Sequence, residues 1–212
     1  MTSRIIGDRR FVKFLFRKSF YKISKQLSCP AGFTDQQQSV FEAVLHKLHD
    51  SGWSVLCGPG GSGKTFILSE LMKLCGDARI CFLAATNRAV AVLMRAINAD
   101  VICGTIHSMA TRSDLVDQDI VVIDEASMLS SEHGDLLMNI HAFRNACILF
   151  VGDHLQLSPV GPGEILRPLL NYSTVPVLRQ NMRCKLEALS SLIHDIRLGR
   201  SEEHTSELQS RQ

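Results

Sequence analysis

Short apolar runs alternate with amphipathic segments along the central part of the chain, between Thr34 and Gly199. The apolar runs contain almost no polar residues, which is typical of strands buried on both faces of a parallel sheet. They predict strands at residues 53–58, 80–86, 120–126, 147–153 and 174–178. The segments between them have apolar residues at helical spacing. They predict helices at Asp35–His49, Lys64–Cys75, Arg88–Ile97, Ser131–Ala142 and Lys185–Arg197.

The regular alternation of strands and helices predicts an α/β fold with a mostly parallel sheet and helices on both faces. Folds of this kind bind their ligands at the carboxyl ends of the strands. Thr34 stands where a hydroxyl caps the first helix, and Asp35 adds favourable charge to its first turn. The sequence has no internal repeat and no low-complexity linker. We therefore expect one domain over residues 34–199.

The first 33 residues form a basic, Phe-rich extension that we expect to be flexible. Eight Lys or Arg residues precede Thr34 and only one acidic residue, Asp8, accompanies them, whereas residues 34–199 have 13 basic and 17 acidic residues. Such an arm suits contact with nucleic acid. A solvated tail, an organellar presequence and upstream sequence added by a wrong start codon are the alternatives.

The last stretch, from Arg200 to Ser210, has no apolar periodicity and reads "RSEEHTSELQS". It resembles, residue for residue, the conceptual translation of a common sequencing adapter. We therefore interpret residues 200–212 as an artefact of assembly, or else as a disordered polar tail, and exclude them from the fold. On the first interpretation, the natural gene continues beyond Gly199.

Composition indicates a globular protein, with 45% hydrophobic and 21% charged residues. No apolar run approaches the roughly 20 residues that span a bilayer, so no membrane partner is expected. The seven cysteines include no C-x-x-C pair, which favours reduced, packed thiols over a disulfide framework. We expect a cytoplasmic protein, or an organellar or nuclear one if the basic extension is a targeting signal.

A glycine-rich segment, "GPGGSGKT", follows the first predicted strand and opens a predicted helix. It matches the phosphate-binding pattern G-x-x-x-x-G-K-[ST] in the strand–loop–helix context that the pattern requires. In such a loop, backbone N–H groups surround the phosphates, the lysine reaches the terminal phosphates and the last hydroxyl binds Mg²⁺. The predicted nucleotide-binding residues are Gly58, Pro59, Gly60, Gly61, Ser62, Gly63, Lys64 and Thr65.

Two adjacent acidic residues end the predicted strand in "VVIDEAS". Asp124 is placed to hold Mg²⁺, and Glu125 points elsewhere and is placed to polarise an attacking water. Alone, the pair is equally well explained as exposed charges at a strand end. With a phosphate loop about sixty residues upstream, hydrolysis of a nucleoside triphosphate is the better interpretation.

Six sequence motifs resemble, in the same order along the chain, those of one protein family. They are "FTDQQQSVF", "AATNRAV", "GTIHSM", "DEASM", "VGDHLQLSPVGPG" and "LRQNMR". Together they cover about 165 residues and resemble the first RecA-like motor domain of superfamily one DNA helicases, of the RecD-like group that includes the phage Dda-like enzymes. The resemblance implies a P-loop NTPase fold, ATP and Mg²⁺ as cofactors, single-stranded DNA as partner and 5′→3′ movement.

The resemblance also implies roles for residues outside the phosphate loop. Gln37 is expected to read adenine, and Arg183 to reach the γ-phosphate. Gln156 is expected near the γ-phosphate, where it couples nucleotide state to DNA grip, and Asp153 is expected to fix the Gln156 loop or the Mg²⁺ water shell. The residues implied in DNA contact are Thr86, Asn87, Arg88, Thr105 and His107. Taken singly, these five residues are explained equally well as loop or helix-cap residues.

The sequence departs from the family pattern in three places. Ala85 stands where a Pro is common, a mild change in loop rigidity. The segment Met109–Gln118 is too short for the hairpin that splits a duplex in relatives. The second RecA-like domain, with its arginine finger, is missing. Two other functions are therefore alternatives to the helicase motor. One is a non-enzymatic nucleotide-binding remnant or single-stranded DNA switch. The other is a P-loop kinase or transport ATPase, but we find neither an acceptor-binding lid nor a family signature loop in the sequence.

Overall fold

The computed structural model describes residues 31–97 and 101–182. Five strands lie within these residues: β1 (Trp53–Cys57), β2 (Ile80–Ala84), β3 (Ile102–Thr105), β4 (Ile120–Asp124) and β5 (Cys147–Gly152). The α-helices are α1 (Asp35–Ser51), α2 (Lys64–Leu74), α3 (Asn87–Ile97), α4 (Ile106–Ala110), α5 (Ser131–Asn139) and α6 (Leu166–Leu170). Short 3₁₀ turns lie at Ala126–Met128 and His141–Phe143.

The strands form one parallel sheet in the order β1-β5-β4-β2-β3. Because all pairs are parallel, the carboxyl ends of the strands lie along one edge of the sheet. The end of β5 lies between the ends of β1 and β4, since Cys57 is in register with Gly152 and Ile123 with Phe150. This order sets which loops meet at that edge.

Two hydrophobic cores cover the two faces of the sheet. Side chains such as Val55 and Phe150 pack with residues of α4, α5 and α6. Their sequence neighbours Leu56 and Val151 face the other way and pack with residues of α1, α2 and α3. The two-sided burial explains why the strands are almost entirely apolar. The predicted fold, a parallel sheet with helices on both faces, is confirmed.

The first helix begins as its sequence indicates. The Thr34 hydroxyl accepts a hydrogen bond from the N–H of Gln37 at 3.3 Å, and the Gln37 side chain accepts one from the N–H of Thr34 at 3.1 Å. This reciprocal capping box satisfies two N–H groups at the helix start. The helix ends at Ser51 and is capped by Gly52, whose φ of 73° closes the last turn without the strain that a side chain would bring.

The predicted strand at residues 174–178 is wrong. The segment does lie beside β1, where the N–H of Leu178 donates to the carbonyl of Cys57 at 2.8 Å. Residues on one side of a strand alternate, so the next bond along this edge would come from residue 176, which is Pro176 and has no N–H. Burial of Val175 and Leu178 therefore accounts for the apolar pattern without strand pairing.

The remaining differences are three short elements that were not predicted and the limits of some that were. Strand β3 and helices α4 and α6 were not predicted, and the helix predicted at Ser131–Ala142 ends at Asn139. Residues 111–119 contain no helix or strand, as expected from the short segment after α4. The predicted helix at 185–197, the tail and all but the end of the basic extension lie outside the described residues.

The described cysteines, Cys57, Cys75, Cys81, Cys103 and Cys147, are free thiols, as expected. Burial raises the pKa of the Cys75 thiol to about 11 and that of Cys81 to about 12, which keeps both protonated and unreactive at neutral pH. Among the described residues, no helix is both long and apolar enough to cross a membrane.

Candidate nucleotide-binding site

Three loops meet at the ends of β1, β5 and β4. The N–H of Gly58, which opens the glycine-rich loop after β1, donates to the carbonyl of Gly152 at the end of β5 at 3.1 Å. The hydroxyl of Ser127, after β4, donates to Gln156 Oε1 in the loop after β5 at 3.1 Å. The sequence motifs that were predicted to share a site are therefore joined by direct contacts.

The glycine-rich loop needs its glycines at two positions in particular. Gly61 and Gly63 have φ values of 79° and 90°, in the left-handed region that side chains disfavour. A Cβ at Gly63 would also collide with the side-chain amide of Gln37. The hydroxyl of Ser62 is buried and has no hydrogen-bond partner among the described residues, so this loop retains a donor suited to a phosphate oxygen.

Lys64 lies at the centre of the three loops. Its Nζ donates to the carbonyls of Gly58 at 2.8 Å and Pro59 at 3.0 Å, which folds the side chain along the glycine-rich loop. Burial lowers the pKa of Lys64, and the nearby carboxylates of Asp153, Asp124 and Glu125 oppose that shift. The lysine is thus a partly buried cation among three acids, and it can exchange loop carbonyls for phosphate oxygens.

Asp124 and Glu125 lie in different environments although they are neighbours in the sequence. Asp124 Oδ1 accepts a hydrogen bond from the N–H of Glu125 at 2.9 Å. Burial raises the pKa of Asp124, and burial followed by the charge of Asp124 raises the pKa of Glu125. Glu125 has φ 52° and ψ 41°, and among the described residues it alone combines a side chain with positive φ. A carboxyl group with a raised pKa on a strained backbone is typical of functional sites.

The loop after β5 is organised by Asp153. This residue is 1% exposed, and its Oδ1 accepts a hydrogen bond from the N–H of Leu155 at 3.1 Å. The N–H of Gln156 donates to the carbonyl of Asp153 at 3.1 Å, which completes a turn. The sequence interpretation that Asp153 fixes the Gln156 loop agrees with this geometry. Next to it, His154 Nδ1 lies 3.2 Å from the sulfur of Cys57.

Gln37 lies beneath the glycine-rich loop. It is 4% exposed, and its Nε2 donates to the carbonyl of Ser62 at 3.3 Å while its oxygen caps α1. Each end of the amide keeps one further hydrogen-bonding position, so the adenine-reading role stays a prediction.

Gln36 was not singled out in the sequence, yet it holds a segment of the site. Its Oε1 accepts hydrogen bonds from the N–H groups of Arg179 at 3.1 Å and Gln180 at 3.2 Å. The N–H of Met182 donates to the carbonyl of Gly61 at 2.8 Å. Residues 178–182, here termed the strap, therefore cross the glycine-rich loop. Arg183, predicted to reach the γ-phosphate, follows the strap and lies outside the described residues.

The residues predicted to hold Mg²⁺ supply oxygen donors. Thr65 is in the first turn of α2 and is exposed, and Asp124 is partly buried at the end of β4. Hydroxyl and carboxylate oxygens are the ligands that Mg²⁺ prefers, usually with several waters. The donor set therefore fits this ion.

The residues predicted to contact DNA lie at the ends of β2 and β3 on the same edge. Ala84 and Thr105 are in register, so the two threonines of this group lie at adjacent strand ends. Thr86 and Thr105 each cap a helix, accepting the N–H of Ala89 at 3.2 Å and of Ser108 at 3.1 Å. A capping hydroxyl still has its own hydrogen to donate, so the capping role does not exclude a phosphate contact.

Asn87 and Arg88 are exposed in the first turn of α3. His107 is exposed on α4; its ring lies edge-on to His133, and its Nε2 is 3.8 Å from Glu132. The structure thus brings four of the five predicted DNA residues to one edge with free access, and it places the fifth, Thr105, partly buried beside them.

Residues 32–212 match the model of the family AAA_30, described as an AAA domain. An uncharacterized protein of Methanocaldococcus jannaschii is 27% identical over 197 residues, covering 78% of this chain and 16% of that protein. The RecBCD enzyme subunit RecD of Buchnera aphidicola is 33% identical over 66 residues, covering 31% of this chain and 11% of that protein. The chain therefore spans less than a fifth of these curated relatives.

Solved structures of Pif1 helicases have the same fold. One, from a study of DNA unwinding at forked double-stranded DNA, has a TM-score of 0.57 and 20% identity, covering 79% of this chain and 48% of that one. The Bacteroides Pif1 helicase in complex with ADP-AlF3 and single-stranded DNA has a TM-score of 0.53 and 19% identity, covering 79% and 46%. The RecA-like fold that the six motifs implied is confirmed.

Proposed function

The chain belongs to the AAA_30 family of AAA domains, and we propose that it is the ATP-binding and ATP-hydrolysing motor domain of a DNA helicase or translocase. One observation carries the proposal: the glycine-rich loop, the Asp124–Glu125 pair and the Gln156 loop meet around Lys64 at three adjacent strand ends. A phosphate cradle, a candidate base and an amide at one edge are the parts that phosphoryl transfer to water requires.

In this proposal the loop N–H groups and Lys64 bind the phosphates, and Gln37 reads adenine. Thr65 and Asp124 hold Mg²⁺, which neutralises charge on the phosphates when it is bound. Glu125 accepts a proton from the attacking water, a task that its raised pKa suits. Gln156 donates to the γ-phosphate and loses that bond after hydrolysis, which changes the loop that it belongs to.

We further propose single-stranded DNA as the partner and 5′→3′ as the direction of movement. Support comes from the exposed first turn of α3 at the same edge and from the Bacteroides Pif1 helicase, a relative in fold that was solved with single-stranded DNA. The matched Pif1 chains are about twice as long as the matched segment. A second RecA-like domain, and the expected contact of Arg183 with the γ-phosphate, complete the proposed motor.

ATP hydrolysis by the chain, measured with and without single-stranded DNA, tests this function. We expect slow turnover, on the order of 10³-fold below a motor with its arginine finger, that single-stranded DNA increases. Glu125→Gln should lower it by roughly 10²–10⁴-fold and leave ATP binding in place. DNA-independent turnover, or turnover that survives Glu125→Gln, contradicts the proposal. ATP binding with no turnover favours the alternative, a nucleotide-dependent switch that grips DNA.

A further inference from the structure

Ser127 makes a contact that neither the sequence motifs nor the proposed function assigns. It follows Glu125 by two residues, is 2% exposed, and donates its hydroxyl hydrogen to Gln156 Oε1 at 3.1 Å. Gln156 itself is exposed and belongs to the loop after β5. A buried hydroxyl therefore holds one end of an exposed amide.

The two ends of a glutamine amide have opposite hydrogen-bonding character. A phosphate oxygen only accepts, so the Nε2 end must face it, and Oε1 must then face away toward a donor. The hydroxyl of Ser127 is that donor. We propose that Ser127 is a positioning residue that orients the Gln156 amide with its N–H₂ toward the γ-phosphate; this inference rests on the ATP site proposed above.

The backbone around Ser127 fixes the hydroxyl in place. Met128 N–H donates to the Glu125 carbonyl at 2.9 Å, which closes the 3₁₀ turn. This turn packs on the end of β5, where a Cβ at Gly152 would lie 3.2 Å from the backbone nitrogen of Ser127. The same turn therefore sets the position of the candidate base and the orientation of the amide.

The test compares nucleotides that differ in the γ-phosphate. Dissociation constants of Mg²⁺-AMP-PNP and Mg²⁺-ADP are measured by calorimetry for the full chain and for Ser127→Ala. We expect about fivefold weaker AMP-PNP binding in the variant and unchanged ADP binding, because the variant loses one hydrogen bond between neutral groups. Ser108→Ala is the matched control, since the Ser108 hydroxyl donates to the Thr105 carbonyl, away from this loop, and both constants should stay unchanged.

A double-mutant cycle separates positioning from packing. Gln156→Ala should reproduce the AMP-PNP loss, and adding Ser127→Ala to it should change nothing further. Additive losses, equal weakening of both nucleotides, or no effect of Gln156→Ala each overturn the positioning role while leaving the ATP site intact. A wild-type chain that binds neither nucleotide overturns the ATP site and the positioning role together.

Discussion

At the scale of one residue, Glu125 combines two features that lower the free energy of unfolding. Its left-handed backbone conformation is disfavoured by about 1–2 kcal/mol for a residue with a side chain. Its carboxyl group is partly buried beside Asp124, and its pKa is raised for both reasons. Both features oppose folding, and together they make Glu125 the candidate base, with a pKa raised above its ordinary value.

The raised pKa predicts how stability depends on pH. A carboxyl group whose folded pKa lies above its unfolded value contributes stability below the unfolded pKa, and this contribution is lost as pH rises through the folded pKa. Glu125→Gln cannot ionise, so we expect it to have a larger free energy of unfolding than wild type at pH 7. The difference should narrow as pH falls toward about 4, as measured by urea unfolding.

The matched control is Glu42→Gln, at an exposed position of α1. A Glu125→Gln variant that is less stable than wild type at pH 7, or equally stable at both pH values, would contradict the assigned burial of the Glu125 charge.

At the scale of elements, the apolar pattern predicts the strands that are buried on both faces of the sheet. Strands β1, β2, β4 and β5 are covered on both faces, so nearly every position is apolar and each was predicted. Strand β3 has four partly buried residues, including Gly104, and gives too short a signal. At residues 174–178 the apolar pattern reflects burial, but Pro176 has no N–H and prevents strand pairing with β1.

The candidate site also has a part that the sequence predicts and a part that it does not. The glycine-rich loop is one continuous segment and the acidic pair is another, so each was recognisable as a motif. The contacts of Gln36 with the strap join residues more than 140 positions apart in the sequence. Ser127 and Gln156 are 29 positions apart. No local pattern encodes either one, since both depend on which strands are neighbours in the sheet.

The strap provides a test at this scale. Gln36→Ala removes the acceptor for two N–H groups, and we expect a loss of about 1 kcal/mol in the free energy of unfolding. Hydrogen exchange at the amides of Arg179 and Gln180 should become faster in the native state. Gln38→Ala is the control on the same helix, because the Gln38 side chain donates to Glu42 at an exposed position, away from the strap. Equal exchange rates in the two variants would show that Gln36 does not hold the strap.

Across the whole molecule, the order of strands arranges two sets of residues along one edge. The loops after β1, β5 and β4 carry the candidate nucleotide site, and the loops after β2 and β3 carry the residues implied in DNA contact. Because β4 pairs directly with β2, Asp124 and the first turn of α3 follow adjacent strands. A change at the acidic pair therefore has a short path to the ends of β2 and β3.

Two arginines on α3 test the position of the DNA edge. Arg88 lies in the first turn, beside the strand ends, and Arg95 lies in the last turn; both are exposed. We expect Arg88→Ala to weaken single-stranded DNA binding and to reduce the salt dependence by about one ion. Arg95→Ala should leave both nearly unchanged in fluorescence anisotropy titrations. Equal losses in the two variants would indicate diffuse electrostatic attraction rather than a track along the strand ends.

The central claim is that the loops after β1, β5 and β4 form one ATP site. Calorimetric titration of the chain and of Lys64→Ala with Mg²⁺-ATP tests it most directly, with circular dichroism to confirm that the variant is folded. The account predicts binding by the chain and an affinity loss of roughly tenfold or more in Lys64→Ala. No binding by the folded chain, or equal affinity in the folded variant, would contradict it.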